Sequence, residues 1–179
     1  GIDLLIEAFK YLNDFNKDMQ VAIFGQPKPK IPIKLNFPVH YTGLFNDDVS
    51  LRLLYSSIDI LIVPSRKEAF GQTATEAMAC ATPVVAFGTT GLLDIVDHKV
   101  NGYLAKPFNT EDLANGIKYI LNTPNYDELC HNARQKVIQE FDKDILIYTT
   151  NEDGTHEFHL DKTEHYDLVV IIKNAQLYT

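Results

Sequence analysis

Short apolar runs that alternate with amphipathic helical stretches constrain this chain more than any other feature. "QVAIFG" at 20–25, "DILIVPS" at 59–65 and "PVVAF" at 83–87 have the length of strands, and glycine, proline or serine bounds them. Between them, Ile2, Leu5, Ile6 and Phe9 recur at helical spacing, and Leu51, Leu54, Tyr55 and Ile58 repeat the i, i+3, i+4, i+7 pattern behind a cap expected at Asn46. "KPKIPIKLNF" is a proline-punctuated loop, "VHYTG" a short strand, "LLDIVDH" a short helix and "NGYLAKPF" an extended segment. A helix capped by Asn109 or Thr110 carries Leu113, Ile117, Ile120 and Leu121, and a last one runs from about Tyr126 to Phe141 with Leu129, Ala133 and Val137 on one side. Strands that are apolar on consecutive residues and alternate with helices imply parallel pairing, right-handed crossovers and helices on both faces. The expected class is a doubly wound, Rossmann-like α/β fold over residues 1–143, with ligand bound beyond the carboxyl ends of the strands.

The pattern changes after that point. "ILIYTTNEDGTHEFHL" reads as two strands about an Asp153-Gly154 turn, and "YDLVVIIKN" as a third that is buried on both faces, so residues 144–179 form a β-rich tail of different character. The expected division is a domain at 1–143 and this tail.

Charge and cysteine usage narrow the function. A net charge of -8 across 179 residues provides no basic footprint for nucleic acid or an anionic membrane. Only two cysteines occur, with no C-x-x-C spacing, which fits a reducing, cytoplasmic setting. Apolar runs such as "ILIV" and "VVII" are far shorter than the roughly 20 residues of a spanning helix, so no transmembrane segment is expected. His156, His159 and His165 lie among acidic residues, yet strand positions three apart point to opposite faces, and no metal site is expected there.

The stretch "SRKEAFGQTATEAMACATPVVAF" carries the chemistry. Gly71 lets backbone approach a ligand closely, and a helix beginning near Gln72 leaves its first amides directed outward, a site for phosphate that needs no metal. Glu76, about one turn into that helix, can accept two hydrogen bonds from a vicinal diol such as ribose. Glu68 lies on the other side of the phosphate position. A molecule with ribose at one end, diphosphate in the middle and a hexose at the other meets these groups in order, which describes a nucleotide-diphosphate sugar. The bland reading of the two glutamates is a solvated pair at an ordinary helix start. Met78, Ala79, Cys80 and Ala81 read as core, and "GTTG" at 88–91 as a turn.

"EAFGQTATEAMACATPVVAF", followed by "TTGLLDIVDHKVNGYLAKPFNTEDLANGI", resembles the donor-binding C-terminal half of retaining glycosyltransferases of the GT-B fold, the family 4-like or group 1 enzymes. The similarity covers about residues 1–141, and its specific core is a glutamate, seven residues and a second glutamate between "VPS" and "AMACATPVVA". The resemblance implies that Glu68 contacts the donor sugar hydroxyls and acts at the catalytic centre. It implies that backbone amides around Phe70, Gly71, Gln72 and Thr73 hold diphosphate and sugar, and that Glu76 binds ribose. The donor would be a UDP-, GDP- or ADP-sugar used without a metal, in polysaccharide, capsule or lipopolysaccharide synthesis. Retention would come from same-face attack as the diphosphate leaves. The resemblance also implies an acceptor-binding domain, and an arginine and lysine ahead of the glycine corresponding to Gly1. On this reading the chain lacks all three, balances the diphosphate with helix amides and Arg66 or Lys67, and transfers nothing alone. The reading from another class is a non-catalytic Rossmann-like interaction or scaffold module that engages partners through the tail. A flavodoxin-like or receiver domain shares the architecture and leaves the glutamate pair unexplained.

Overall fold

The computed structural model describes residues 1–13, 15, 19–45, 47–141 and, as backbone, 168–173. In chain order the elements are α1 (Ile2–Lys10), β1 (Met19–Phe24), β2 (Val39–Gly43), α2 (Asp48–Ser56), β3 (Ile60–Val63), α3 (Gln72–Ala79), β4 (Val84–Phe87), α4 (Leu92–Ile95), β5 (Gly102–Ala105), α5 (Thr110–Asn122), α6 (Tyr126–Glu140) and β6 (Leu168–Lys173). The strands form one sheet in the order β2-β1-β6-β3-β4-β5.

Alternation along each strand divides the core between two faces. Val21, Ile23, Ile60, Ile62, Val85 and Phe87 pack with Leu5, Ala8 and Phe9 of α1 and with Leu113, Ile117 and Ile120 of α5. Their neighbours Ala22, Phe24, Leu61, Val63, Val84 and Ala86 pack on the other face with Tyr55, with Ala74, Ala77 and Met78 of α3, and with Leu92 and Ile95. Both faces are covered, which explains why the strands are apolar without a break. The doubly wound α/β class read from the sequence is the class observed. The proline-rich segment between Phe24 and Val39 forms neither helix nor strand, and the Tyr41 hydroxyl accepts a bond from the Ile33 amide at 2.9 Å, tying that loop to β2.

Two caps show how local sequence sets element boundaries. Asn109 Oδ1 accepts from the Asp112 amide at 2.8 Å and starts α5, as expected. α2 is capped by Asp47, whose Oδ1 accepts from the Ser50 amide at 2.8 Å. The expected cap, Asn46, precedes it and lies outside the described residues. Asp and Asn cap equally well, so sequence alone does not separate adjacent candidates.

The sheet departs from a uniformly parallel one at its centre. β1 pairs with β2, and β3 with β4 and β4 with β5, all parallel. β6 pairs antiparallel with β1 on one side, Val170 opposite Ala22, and antiparallel with β3 on the other, Val170 opposite Leu61. The strand expected in "YDLVVIIKN" is therefore present, but it lies inside the sheet rather than beside it and makes the sheet mixed. The hairpin expected about Asp153-Gly154 lies outside the described residues.

Candidate functional site

β3 ends at Val63, and the chain crosses the carboxyl edge of the sheet through Pro64–Phe70 before entering α3 at Gly71. Gly71 has φ of +86°, a left-handed conformation that favours glycine, and a Cβ there would lie 2.8 Å from Ile95 Cδ1, which would have to shift. The loop is tied to the one after β4. The Glu68 amide donates to Thr90 Oγ1 at 2.9 Å, and the Gly91 amide donates to the Glu68 carbonyl at 3.0 Å. Glu68 is only 7% exposed. Its Cγ lies 3.6 Å from the position of a Cβ on Gly71, so its side chain runs along that glycine.

The first intrahelical bond of α3 runs from the Thr75 amide to the Gly71 carbonyl at 3.1 Å. The amides of Gln72, Thr73 and Ala74 precede that ladder, and the aligned peptide dipoles place roughly half a positive charge at this end. Such an end accepts an anion. Phe70 is exposed beside it and meets Phe141 edge-on at 5.7 Å. Thr73 is half-buried in the first turn.

Glu76 is held by both of its carboxylate oxygens. The Tyr55 hydroxyl donates to Oε2 at 3.0 Å and the Gln72 side-chain amide to Oε1 at 3.0 Å. Burial pushes the Glu76 carboxyl above its ordinary value, and the two donors pull it back in part. Beside it, between α2 and α3, lies a cavity of about 190 Å³ lined by Asp48, Leu51, Arg52, Tyr55, Glu76, Ala79 and Cys80.

The structure thus gathers Glu68, Phe70, Gly71, Gln72 and Thr73 at the start of α3 and sets Glu76 one turn further on, against α2. The cavity beside Glu76 does not include Glu68. Ala77 and Met78 are core, whereas Ala79, Cys80 and Ala81 are half-buried, and Ala79 and Cys80 line the cavity instead of filling the interior. Arg66 turns to α1, donating to both carboxylate oxygens of Asp3 at 2.8 and 2.5 Å. That pairing holds the Asp3 carboxyl well below its usual range and raises the guanidinium. Sequence reasoning missed Tyr55 as a polar group, because its helical spacing marked it as core. The signal was its hydroxyl, which a buried tyrosine must satisfy. Thr90 was missed for a different reason, since nothing local to "GTTG" indicates what its hydroxyl will face. Among the described residues no group of three or more His, Cys, Asp or Glu is placed to hold a metal ion, and none of the helices is long and apolar enough to cross a membrane. His156, His159 and His165 lie outside those residues.

A doubly wound sheet with an anion-accepting helix start at its carboxyl edge, flanked by two glutamates, defines an α/β ligand-binding unit of the nucleotide-binding kind. Residues 1–140 match the family described as glycosyl transferases group 1, and the chain belongs to that family. It is 33% identical over 157 residues to an uncharacterized glycosyltransferase of Methanocaldococcus jannaschii, covering 84% of this chain and 40% of that relative. Among solved structures it is similar to HepE of Anabaena in complex with UDP-glucose, at 33% identity and a TM-score of 0.54 over 60% of this chain and 29% of that one. It is also similar to sucrose-phosphate synthase of Thermosynechococcus elongatus, at 26% identity and a TM-score of 0.66 over 82% of this chain and 40% of that one. The chain therefore spans well under half the length of these proteins.

Proposed function

We propose that this chain is the donor-binding half of a retaining glycosyltransferase and that it binds a nucleotide-diphosphate sugar across the start of α3. The observation that carries the reading is the juxtaposition at Gly71: a left-handed turn that favours glycine, outward helix amides, a buried Glu68 on one side and Glu76 on the other. The similarity to a protein whose structure holds UDP-glucose supports the same class of ligand. The diphosphate sits on the amides of Gly71, Gln72 and Thr73 beside Phe70, Glu68 accepts bonds from the sugar hydroxyls, and Glu76 accepts from the ribose diol.

In transfer, the bond between the anomeric carbon and the diphosphate oxygen breaks while the acceptor hydroxyl attacks the same face and gives its proton to the departing diphosphate oxygen. The electron pair leaves on the diphosphate, where the helix amides stabilise the developing charge. No metal is needed in this scheme. The acceptor is held by a further domain, the setting is cytoplasmic, and the product belongs to polysaccharide, capsule or lipopolysaccharide synthesis. The donor-binding unit on this reading is residues 1–143 together with β6, which the sheet takes in between β1 and β3.

Titration of the isotope-labelled chain with UDP-glucose, GDP-mannose and ADP-glucose in the presence of EDTA tests the proposal. The expected result is a saturable shift of the amide resonances at Phe70–Glu76 with at least one of them at millimolar ligand. Absence of any shift there with all three removes the reading. The position of β6 favours a second one, in which the domain is an interaction or scaffold module, because an antiparallel strand completes the centre of its sheet. Lack of nucleotide binding by the full chain, together with a concentration-dependent oligomeric mass, supports that alternative.

A further inference from the structure

The two hydrogen bonds on Glu76 are unequal in kind. Tyr55 is 2% exposed; its carbonyl accepts from Thr82 Oγ1 at 2.6 Å, and its ring meets Phe24 edge-on at 5.8 Å. Burial and the contact with Phe24 hold the ring on its inner side. Burial, with Glu76 beside it, pushes its phenol far above the ordinary value, so it stays protonated and a donor under any working condition. Gln72 is the first residue of α3, exposed, with a side chain that reaches Oε1 from solvent. A carboxylate has about four acceptor positions, so Tyr55 and Gln72 together leave room for further donors.

We propose that Tyr55 is a positioning residue for the nucleotide: it fixes Glu76 through Oε2 and turns Oε1 to the ribose diol, with the Gln72 side chain as the placeholder that the diol displaces. The inference rests on the assignment of Glu76 to ribose and assigns to α2 a part in recognition that the glutamate motif does not contain. Tyr55 touches no substrate itself. It sets the direction and the charge of the group that does.

The groups that line the space around Glu76 are Asp48, Arg52 and Tyr55 of α2, Gln72 of α3 and Cys80 just after it, with the apolar ring of Phe24 behind Tyr55. As pH falls through the raised value of the Glu76 carboxyl, the group takes up a proton and loses acceptor strength, so preference for a diol-bearing nucleotide declines. Removing the Tyr55 hydroxyl takes away a bond that favours the ionised form. The decline then begins at higher pH.

The experiment compares UDP with 2′,3′-dideoxyuridine diphosphate, which keeps the base and diphosphate and lacks both hydroxyls. Binding of each to the full chain is measured by NMR titration across the acid-to-neutral range for the parent, Tyr55→Phe and Glu76→Gln. Tyr55→Phe keeps the ring against Phe24, and the dideoxy compound reports whether the rest of the site is intact. The expected result is a loss of about three- to tenfold in affinity for UDP, the size of one ordinary hydrogen bond, with the dideoxy compound unchanged within about twofold. In the same variant the decline in UDP preference moves to higher pH. Equal loss for both compounds, or no loss for either, overturns the proposal, because Tyr55 is then a packing residue only. If Glu76→Gln leaves the preference for UDP over the dideoxy compound intact, the ribose assignment falls and the proposal with it. If Glu76→Gln removes the preference and Tyr55→Phe does not alter it, the assignment stands and the role of Tyr55 alone is overturned.

Discussion

The two sides of the sheet are built by different rules. β3, β4 and β5 follow one another in sequence, pair in parallel and are separated by α3 and α4, so each contact on this side lies within a short stretch of chain. β1 and β2 make a second parallel pair, and within the sheet they are hydrogen-bonded to the first group through β6, a strand from the far end of the described chain that runs the other way. The residues that form the candidate site, from Glu68 to Glu76, all belong to the first side, and the loops that brace them, at Thr90 and Gly91, do too. The second side contributes Phe24 behind Tyr55 and α1 behind the sheet. The candidate site thus lies where the fold is local, and the backbone continuity of the sheet runs through a pairing that is not.

The sharpest way to break this comparison is Val170→Pro. In a central strand each backbone N–H faces one neighbour or the other, and proline removes one and cannot follow the pleat. The expected loss is about 3 kcal/mol or more of unfolding free energy by urea denaturation. An unchanged midpoint would show that β6 is not what joins the two sides.

Gly71→Ala acts wholly on the local side. The φ of +86° and the contact at 2.8 Å with Ile95 Cδ1 must both relax, at a cost of about 1–3 kcal/mol. Nucleotide-induced shifts at Phe70–Glu76 should vanish while the β1 and β2 resonances stay in place. If binding survives, the turn is not what shapes the site.

A smaller effect is expected at α5, which covers the face shared by both sides. Asn109→Ala removes its cap and should cost about 1 kcal/mol, with UDP affinity unchanged. A loss of binding in that variant would mean that the site feels the opposite face of the sheet.

What could be read in advance divides along the same line. Local periodicity and turn residues placed β1, β3, β4 and the helices, because each signal lies within the element it describes. The strand at Leu168–Lys173 was visible as a strand, yet its slot was not, since pairing partners are set by geometry far away in sequence. At the candidate site, the glycine turn into α3 was legible in the sequence, whereas the Tyr55–Glu76 bond joins α2 to α3 and leaves no trace in either helix alone. Arg66 was a plausible phosphate contact on sequence grounds. Asp3, on another element, was positioned to take it first.

The central place of β6 also sets an order of events during synthesis. As synthesis proceeds from the N-terminal side, β3, β4 and β5 can pair as soon as each emerges, and β1 can find β2. The gap between these two partial sheets closes only after Leu168–Lys173 has been delivered, so the last step is the one that spans the greatest length of chain and is entropically the slowest. Until then the edges of β1 and β3 stand open, and any extended peptide nearby competes for the vacancy.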